Sequence, residues 1–203
     1  MNRAALRRAM KKLAEADKDV ARALEEVGMP EPRVRPAGFH TLLSTIVGQQ
    51  ISAEAARTIL GRVDELLPEA SPEALLALSD KALRGAGMSG RKVEYAKGVA
   101  EAIRRGEFDV DGLAELEDEA AIEAISSLRG FGRWSAEIYL MFSLGRRDIF
   151  PSGDLALRVA VGRLKGLEDR PTPTQARDLV AHWAPYRSAG SLFLWRYYRG
   201  APG

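Results

Sequence analysis

Apolar residues recur along the chain at offsets of three and four rather than two. Leu6, Met10, Leu13 and Ala14 form one such series, Leu42, Ile46 and Val47 a second, and Ile59, Val63, Leu66 and Leu67 a third. At 3.6 residues per turn each series lines one face of an α-helix, whereas no run alternates long enough to build a sheet. The breaks carry Gly and Pro: Pro30 to Gly38, Pro68 to Pro72, Gly85 to Gly90, Gly106 to Gly112, Gly130 to Gly132, Gly145 to Gly153, and Arg170 to Pro173. This punctuation predicts about nine or ten helices joined by connections of ordinary length, an all-α fold. The stretch from Gly28 to Gly38 is too short to separate independent domains and is expected to carry the first helix across to another lobe. The whole chain, 1–203, therefore reads as a single two-lobed domain. Leu83-Arg84-Gly85-Ala86-Gly87-Met88 and Leu128-Arg129-Gly130-Phe131-Gly132-Arg133 place similar Gly-x-Gly turns between helices, which points to a repeated helix-turn-helix unit.

Composition narrows the chemistry. With no Cys, the chain has no disulfide, thiolate zinc site, iron–sulfur cluster or cysteine nucleophile. No apolar run approaches the ~20 residues needed to span a bilayer and no secretory leader is evident, so a cytoplasmic protein is expected, associated with the nucleoid if bacterial, and with no membrane partner. A net charge of +2 permits a nucleic-acid partner without demanding one. The positions of the cations say more: Arg3, Arg7, Arg8, Lys11 and Lys12 crowd the first helix, and Arg129 with Arg133, then Arg146 with Arg147, bracket the segments of greatest chemical interest.

Leu128 to Ala136 reads as a helix ending at a Gly, one apolar residue turned inward, a second Gly and an immediate new helix. The amides at the start of that second helix form an anion site suited to a backbone phosphate, with Arg129 and Arg133 adding charge. The same residues also suit an ordinary helix–helix turn. Further on, Asp154 follows Pro151-Ser152-Gly153 and precedes a helical run, which makes it an N-cap. That role leaves room for a second one, because an ionised, positioned carboxylate stabilises an oxocarbenium-like sugar during glycosidic hydrolysis.

The hairpin Leu128 to Trp134, followed twenty residues beyond Trp134 by Asp154 in a Gly-Asp pair, resembles the helix-hairpin-helix, Gly/Pro-rich, Asp (HhH-GPD) superfamily of DNA glycosylases. Within it the similarity is to the 3-methyladenine DNA glycosylase II family. Ile46 to Ser52, Gly87 to Lys92, and Trp183 to Ser188 running on to Trp195 agree in order, so that the resemblance covers residues 38 to 198. It implies a helix-hairpin-helix at residues 121–143 and a catalytic loop at 148–158, with Asp154 as the essential carboxylate. It implies backbone contacts to DNA from Gly130, Gly132, Arg133 and Ser135, with Lys92 as a secondary contact. Trp134 and Trp195 would wall the base pocket, and the loop Gly48 to Ile51 would be the wedge, with Gln50 the plug and Gln49 beside it. The family often adds a monovalent cation; here Na+ or K+ would sit on the carbonyls of Ser126, Leu128 and Phe131, with no cofactor otherwise required.

Relatives with lyase activity carry a Lys at the place of Trp134, and an indole cannot form a Schiff base. The resemblance therefore implies a monofunctional enzyme that flips an alkylated purine of the 3-methyladenine or 7-methylguanine class from double-stranded DNA and hydrolyses its N-glycosidic bond, acting as a monomer. An indole face also attracts the positive ring of such lesions. The rival readings are a glycosylase for a deaminated, etheno or oxidised base, and a catalytically silent DNA-binding module in which Asp154 only caps its helix. His40 and His182 lack partners at metal spacing, which disfavours zinc chemistry.

Overall fold

The computed structural model describes residues 1–200; the last three residues of the expected domain lie outside the described residues. Among the described residues the chain is helical throughout, with no strand: twelve α-helices and two short 3-10 turns. None of the helices is long and apolar enough to cross a membrane.

Two or three more helices form than the Gly and Pro punctuation predicts, because some breaks are made by side-chain caps instead. α1 (Arg3–Ala16) and α2 (Lys18–Val27) are separated by Asp17 alone, whose carboxylate accepts from the amides of Asp19 and Val20 and so starts α2. Likewise Ser79 starts the six-residue α6 (Asp80–Gly85) by accepting from Ala82, whereas Ser71, which accepts from Ala74 to start α5 (Pro72–Ala77), lies in the Pro68 to Pro72 break.

The helices form two compact units, the first made of Met1–Val34 with Glu137–Gly203 and the second of Arg35–Ala136. The boundary at 34/35 falls in the non-helical stretch from Gly28 to Gly38. In the second unit α3 (Phe39–Gly48) packs on α4 (Ala53–Leu66) and α7 (Gly90–Arg104), which also receives α5 and α6. Leu42, Ile46, Val47 and Val63 are fully buried there, while Leu66 at the end of its series stays 39% exposed. The unit continues through α8 (Asp118–Ser127) into α9 (Arg133–Phe142), within which the boundary to the first unit falls.

In the first unit α10 (Leu155–Leu164) packs on α12 (Arg187–Gly200) and on α11 (Pro173–Leu179), with α1 and α2 against α12. Leu6, Met10 and Leu13 close its core with Phe193 and Trp183. A buried polar knot ties the elements together. Oδ2 of Asp17 accepts from Lys165 Nζ at 2.7 Å and Trp183 Nε1 at 2.8 Å, and lies 3.0 Å from His182 Nε2. Burial works to raise the Asp17 carboxyl, but the bonds from Lys165, Trp183 and His182 outweigh it and hold the group at about 2. Lys165 directly follows α10, so the knot anchors the far end of the helix that Asp154 begins.

Candidate functional site

In the second unit the hairpin is built as its glycines require. α8 ends at Leu128, Phe131 N–H donates to Leu128 O at 3.0 Å, and Ala136 N–H donates to Gly132 O at 3.2 Å to close the first turn of α9. Leu128 and Phe131 are both buried, anchoring the turn from below. Gly130 has φ 96°, in the left-handed region, and a Cβ there would come within 2.4 Å of the Tyr95 ring. Gly132 is exposed with nothing within 4 Å of where its Cβ would be, so a ligand can approach the backbone closely. The start of α9 then presents amides and the positive end of a helix dipole to whatever lies beyond it.

Arg133 makes a two-point pair with Glu119, at 2.6 and 2.9 Å. Arg129 pairs with Glu94 and lies over the Tyr95 ring. Both pairs are exposed, and exposed pairs are weak enough for a phosphate to displace. The carbonyl set expected to hold a monovalent cation is chemically suitable. Ser126 lies in the last turn of α8, where carbonyls lose their helical partners, and the Leu128 oxygen accepts only the Phe131 amide among the turn's backbone bonds. An ion there would add positive charge to the hairpin.

The loop between α3 and α4 reaches this hairpin. Gln49 Nε2 donates to Gly130 O at 2.8 Å, linking residues 81 apart in sequence. Lys92, in the first turn of α7, donates from Nζ to Val47 O at 2.7 Å, and burial pulls its ammonium below the ordinary lysine value. Lys92 thus braces the loop through a carbonyl at the end of α3, and its ammonium keeps further donors beyond this bond. Gln50, held between these braces, is exposed and has φ 58°, the sole non-Gly residue with positive φ among the described residues. Such strain persists where the surroundings fix the backbone. Ser52 caps α4, accepting from Ala55 N–H at 3.2 Å. Trp134, in the first turn of α9, is 46% exposed.

In the first unit Asp154 is the N-cap of α10, accepting from Leu157 N–H at 2.9 Å. Its own N–H donates to Pro151 O at 2.9 Å, and Ser152 N–H to Phe150 O at 2.7 Å, so the turn before it is tight. That turn is held on several sides. Ile149 N–H donates to the buried Ser188 Oγ at 3.0 Å, and Arg177 donates to Ser152 Oγ at 3.1 Å. Asp148 pairs doubly with Arg187, which keeps its carboxyl below the ordinary range despite burial. Half-buried Trp195 lies on α12 with its ring 6.0 Å from that of Phe142 and tilted by 47°. A cavity of about 90 Å³ opens beside it, also lined by Pro30, Arg33 and Leu192.

Of the expected residues, Gln49 meets Gly130, and Lys92 meets the carbonyl just before the Gln49 loop. Sequence reasoning missed both links, as well as Arg177 and Ser188, because each joins positions distant along the chain and no local pattern announces it. His40 and His182 face the carboxylates of Asp64 and Asp17.

Comparison with known proteins extends these observations. DNA-3-methyladenine glycosylase 1 of Schizosaccharomyces pombe is 31% identical over 162 residues, 78% of this chain and 71% of its own. The Bacillus subtilis protein YfjP is 30% identical over 166 residues, but those span only 58% of its length. The crystal structure of a DNA-3-methyladenine glycosidase from Bacillus halodurans superposes with a TM-score of 0.85 at 35% identity, over 94% of this chain and 88% of that one. The Schizosaccharomyces pombe 3-methyladenine DNA glycosylase in complex with abasic DNA gives 0.79 at 28% identity, over 96% and 98%. The model of the family described as HhH-GPD superfamily base excision DNA repair protein matches residues 43–185, a span containing the loop from Gly48 to Ile51, the hairpin and Asp154. With that match and these relatives, the chain belongs to the HhH-GPD superfamily of base excision DNA repair proteins.

Proposed function

We propose that this protein is a monofunctional DNA glycosylase that removes alkylated purines from double-stranded DNA. The observation that carries the reading is Asp154: a carboxylate fixed by the Leu157 amide, on a loop clamped by Ser188 and Arg177. Preorganised negative charge of this kind acts without reorganisation when positive character builds on the anomeric carbon. The relatives' names, DNA-3-methyladenine glycosylases, supply the lesion class.

The remaining roles follow from the chemistry of each group. The hairpin amides and the open face of Gly132 receive a strand phosphate. Gln50, strained and exposed at the tip of a braced loop, enters the gap that an extruded base leaves and hydrogen-bonds the orphaned partner. Exposed Trp134 stacks on the extruded purine and attracts its positive ring. A cationic lesion is neutralised as it departs, so no strong general acid is needed. With Trp rather than Lys at position 134 there is no amine to attack the sugar, so water is the final nucleophile and the strand stays intact.

Incubation with methylated duplex DNA tests this directly. Free 3-methyladenine and 7-methylguanine should accumulate, and strand breaks should appear only after alkali. Breaks without alkali would remove the monofunctional reading, and absence of free base would remove the enzymatic one.

A further inference from the structure

Two cation clusters noted in the sequence have no part in the proposed chemistry: the α1 face bearing Arg8, Lys11 and Lys12, and Arg147 in the loop after α9. The first unit brings them together. They line one cavity of about 290 Å³, closed by Tyr186 and Ala189 at the start of α12. No carboxylate lines it. Lys12 pairs with Glu15 at its edge, whereas Arg8, Lys11 and Arg147 form no ion pair among the described residues. Positions 8, 11 and 12 are neighbours at offsets of three and four on α1, where like charges repel one another. Such a concentration of positive charge around a concavity, with three of the four cations outside any ion pair and at a local cost to the helix, suits an anion.

The wall opposite α1 is rigid. Arg147 O accepts from Ser188 N–H at 2.9 Å, and Ser188 Oγ, itself buried, donates to Arg146 O at 2.7 Å. The volume sits just below the ~300–1,000 Å³ of pockets for drug-sized ligands, enough for a phosphate with its sugar. Guanidinium groups match phosphate oxygens in two-point geometry, and a half-buried tyrosine ring offers a face for a base or sugar.

We propose that this cavity is a phosphate-ester site that takes one nucleotide phosphate, from a DNA strand or from a free nucleotide. It is separate from the hairpin, and its strand-bound form rests on the DNA-binding reading above. Arg8 and Arg147 carry the recognition, with Tyr186 as the stacking surface.

The test uses the full chain, the exposed double variant Arg8→Gln/Arg147→Gln, and the double variant Lys18→Gln/Lys81→Gln as a charge-matched control outside the cavity. Duplex affinity is measured against salt, and thymidine 5′-monophosphate and inorganic phosphate are titrated calorimetrically. A strand phosphate in the cavity predicts that the slope of log K against log salt falls by about 1 in the double variant. A free nucleotide predicts an unchanged slope but thymidine monophosphate binding that the double variant loses. If the double variant matches wild type in both measurements, the proposal is overturned, even with base release intact. Should base release be absent while the phosphate response persists, the functional reading falls alone.

Discussion

Asp17→Asn is the perturbation whose size the structure fixes best. Asn is as good an N-cap as Asp, so the start of α2 should survive. What disappears is the charge facing Lys165, His182 and Trp183 in a site where Asp17 is 5% exposed. The fall of the carboxyl from its ordinary 3.8 to about 2, at about 1.4 kcal/mol per pH unit, corresponds to about 2 to 3 kcal/mol of stability. Because the folded value lies below the unfolded one, this contribution is complete above pH 3.8 and is lost as pH falls through about 2. Leaving Lys165, whose ammonium is raised by Asp17 and Asp19 against the opposing effect of burial, without its main partner adds to the cost at neutral pH. Urea unfolding should therefore place the variant about 2 to 4 kcal/mol below wild type at pH 7, with the gap narrowing steadily between pH 4 and pH 2. A gap that stays constant across that range, or one under about 0.5 kcal/mol at pH 7, would refute the electrostatic account of the knot. Because Lys165 caps the end of α10, base release by the variant should also become more sensitive to temperature.

Other substitutions address the hairpin, the Gln50 loop and Trp134. Gly130→Ala places a methyl against the Tyr95 ring in a left-handed backbone; it should destabilise by about 1 to 3 kcal/mol and weaken duplex binding, and equal thermal midpoints would contradict the geometry. Gln50→Gly relaxes the φ of 58°, so stability should change by under about 1 kcal/mol while single-turnover release from paired DNA slows more than release from single strands. Trp134→Ala removes a side chain that is 46% exposed and should cost about 1 to 2 kcal/mol of stability, but should lower 7-methylguanine excision by the folded variant at least about tenfold if stacking and cation attraction are worth over 1.4 kcal/mol; unchanged excision would exclude it from the pocket.

The fold was legible where periodicity and turn chemistry agree. The series through Leu42, Ile46 and Val47 is fully buried, and Gly130 needs the positive φ its spacing implied. Helix breaks written in caps rather than Gly or Pro were not legible, as Asp17 and Ser79 show: Asp and Ser are ordinary inside a helical pattern until their side chains turn back onto the backbone. At the candidate site the sequence offered residue types at family spacing, whereas the contacts that hold those residues were not legible. Lys92 reads locally as a solvated cation on α7, and only packing reveals the Val47 carbonyl within its reach. Arg129 and Arg133 read as unpaired positive charge beside the hairpin, yet Glu94 and Glu119 neutralise them from other helices.

The central claim is that the Asp154 carboxylate does chemistry beyond capping α10. Asp154→Asn separates the two roles, since the amide oxygen can still accept from Leu157 N–H and should keep stability within a few tenths of a kcal/mol. The decisive measurement is single-turnover release of 7-methylguanine from duplex DNA by this folded variant. A loss of about 10²-fold or more with duplex affinity retained is the expected result; release at the wild-type rate would contradict the account.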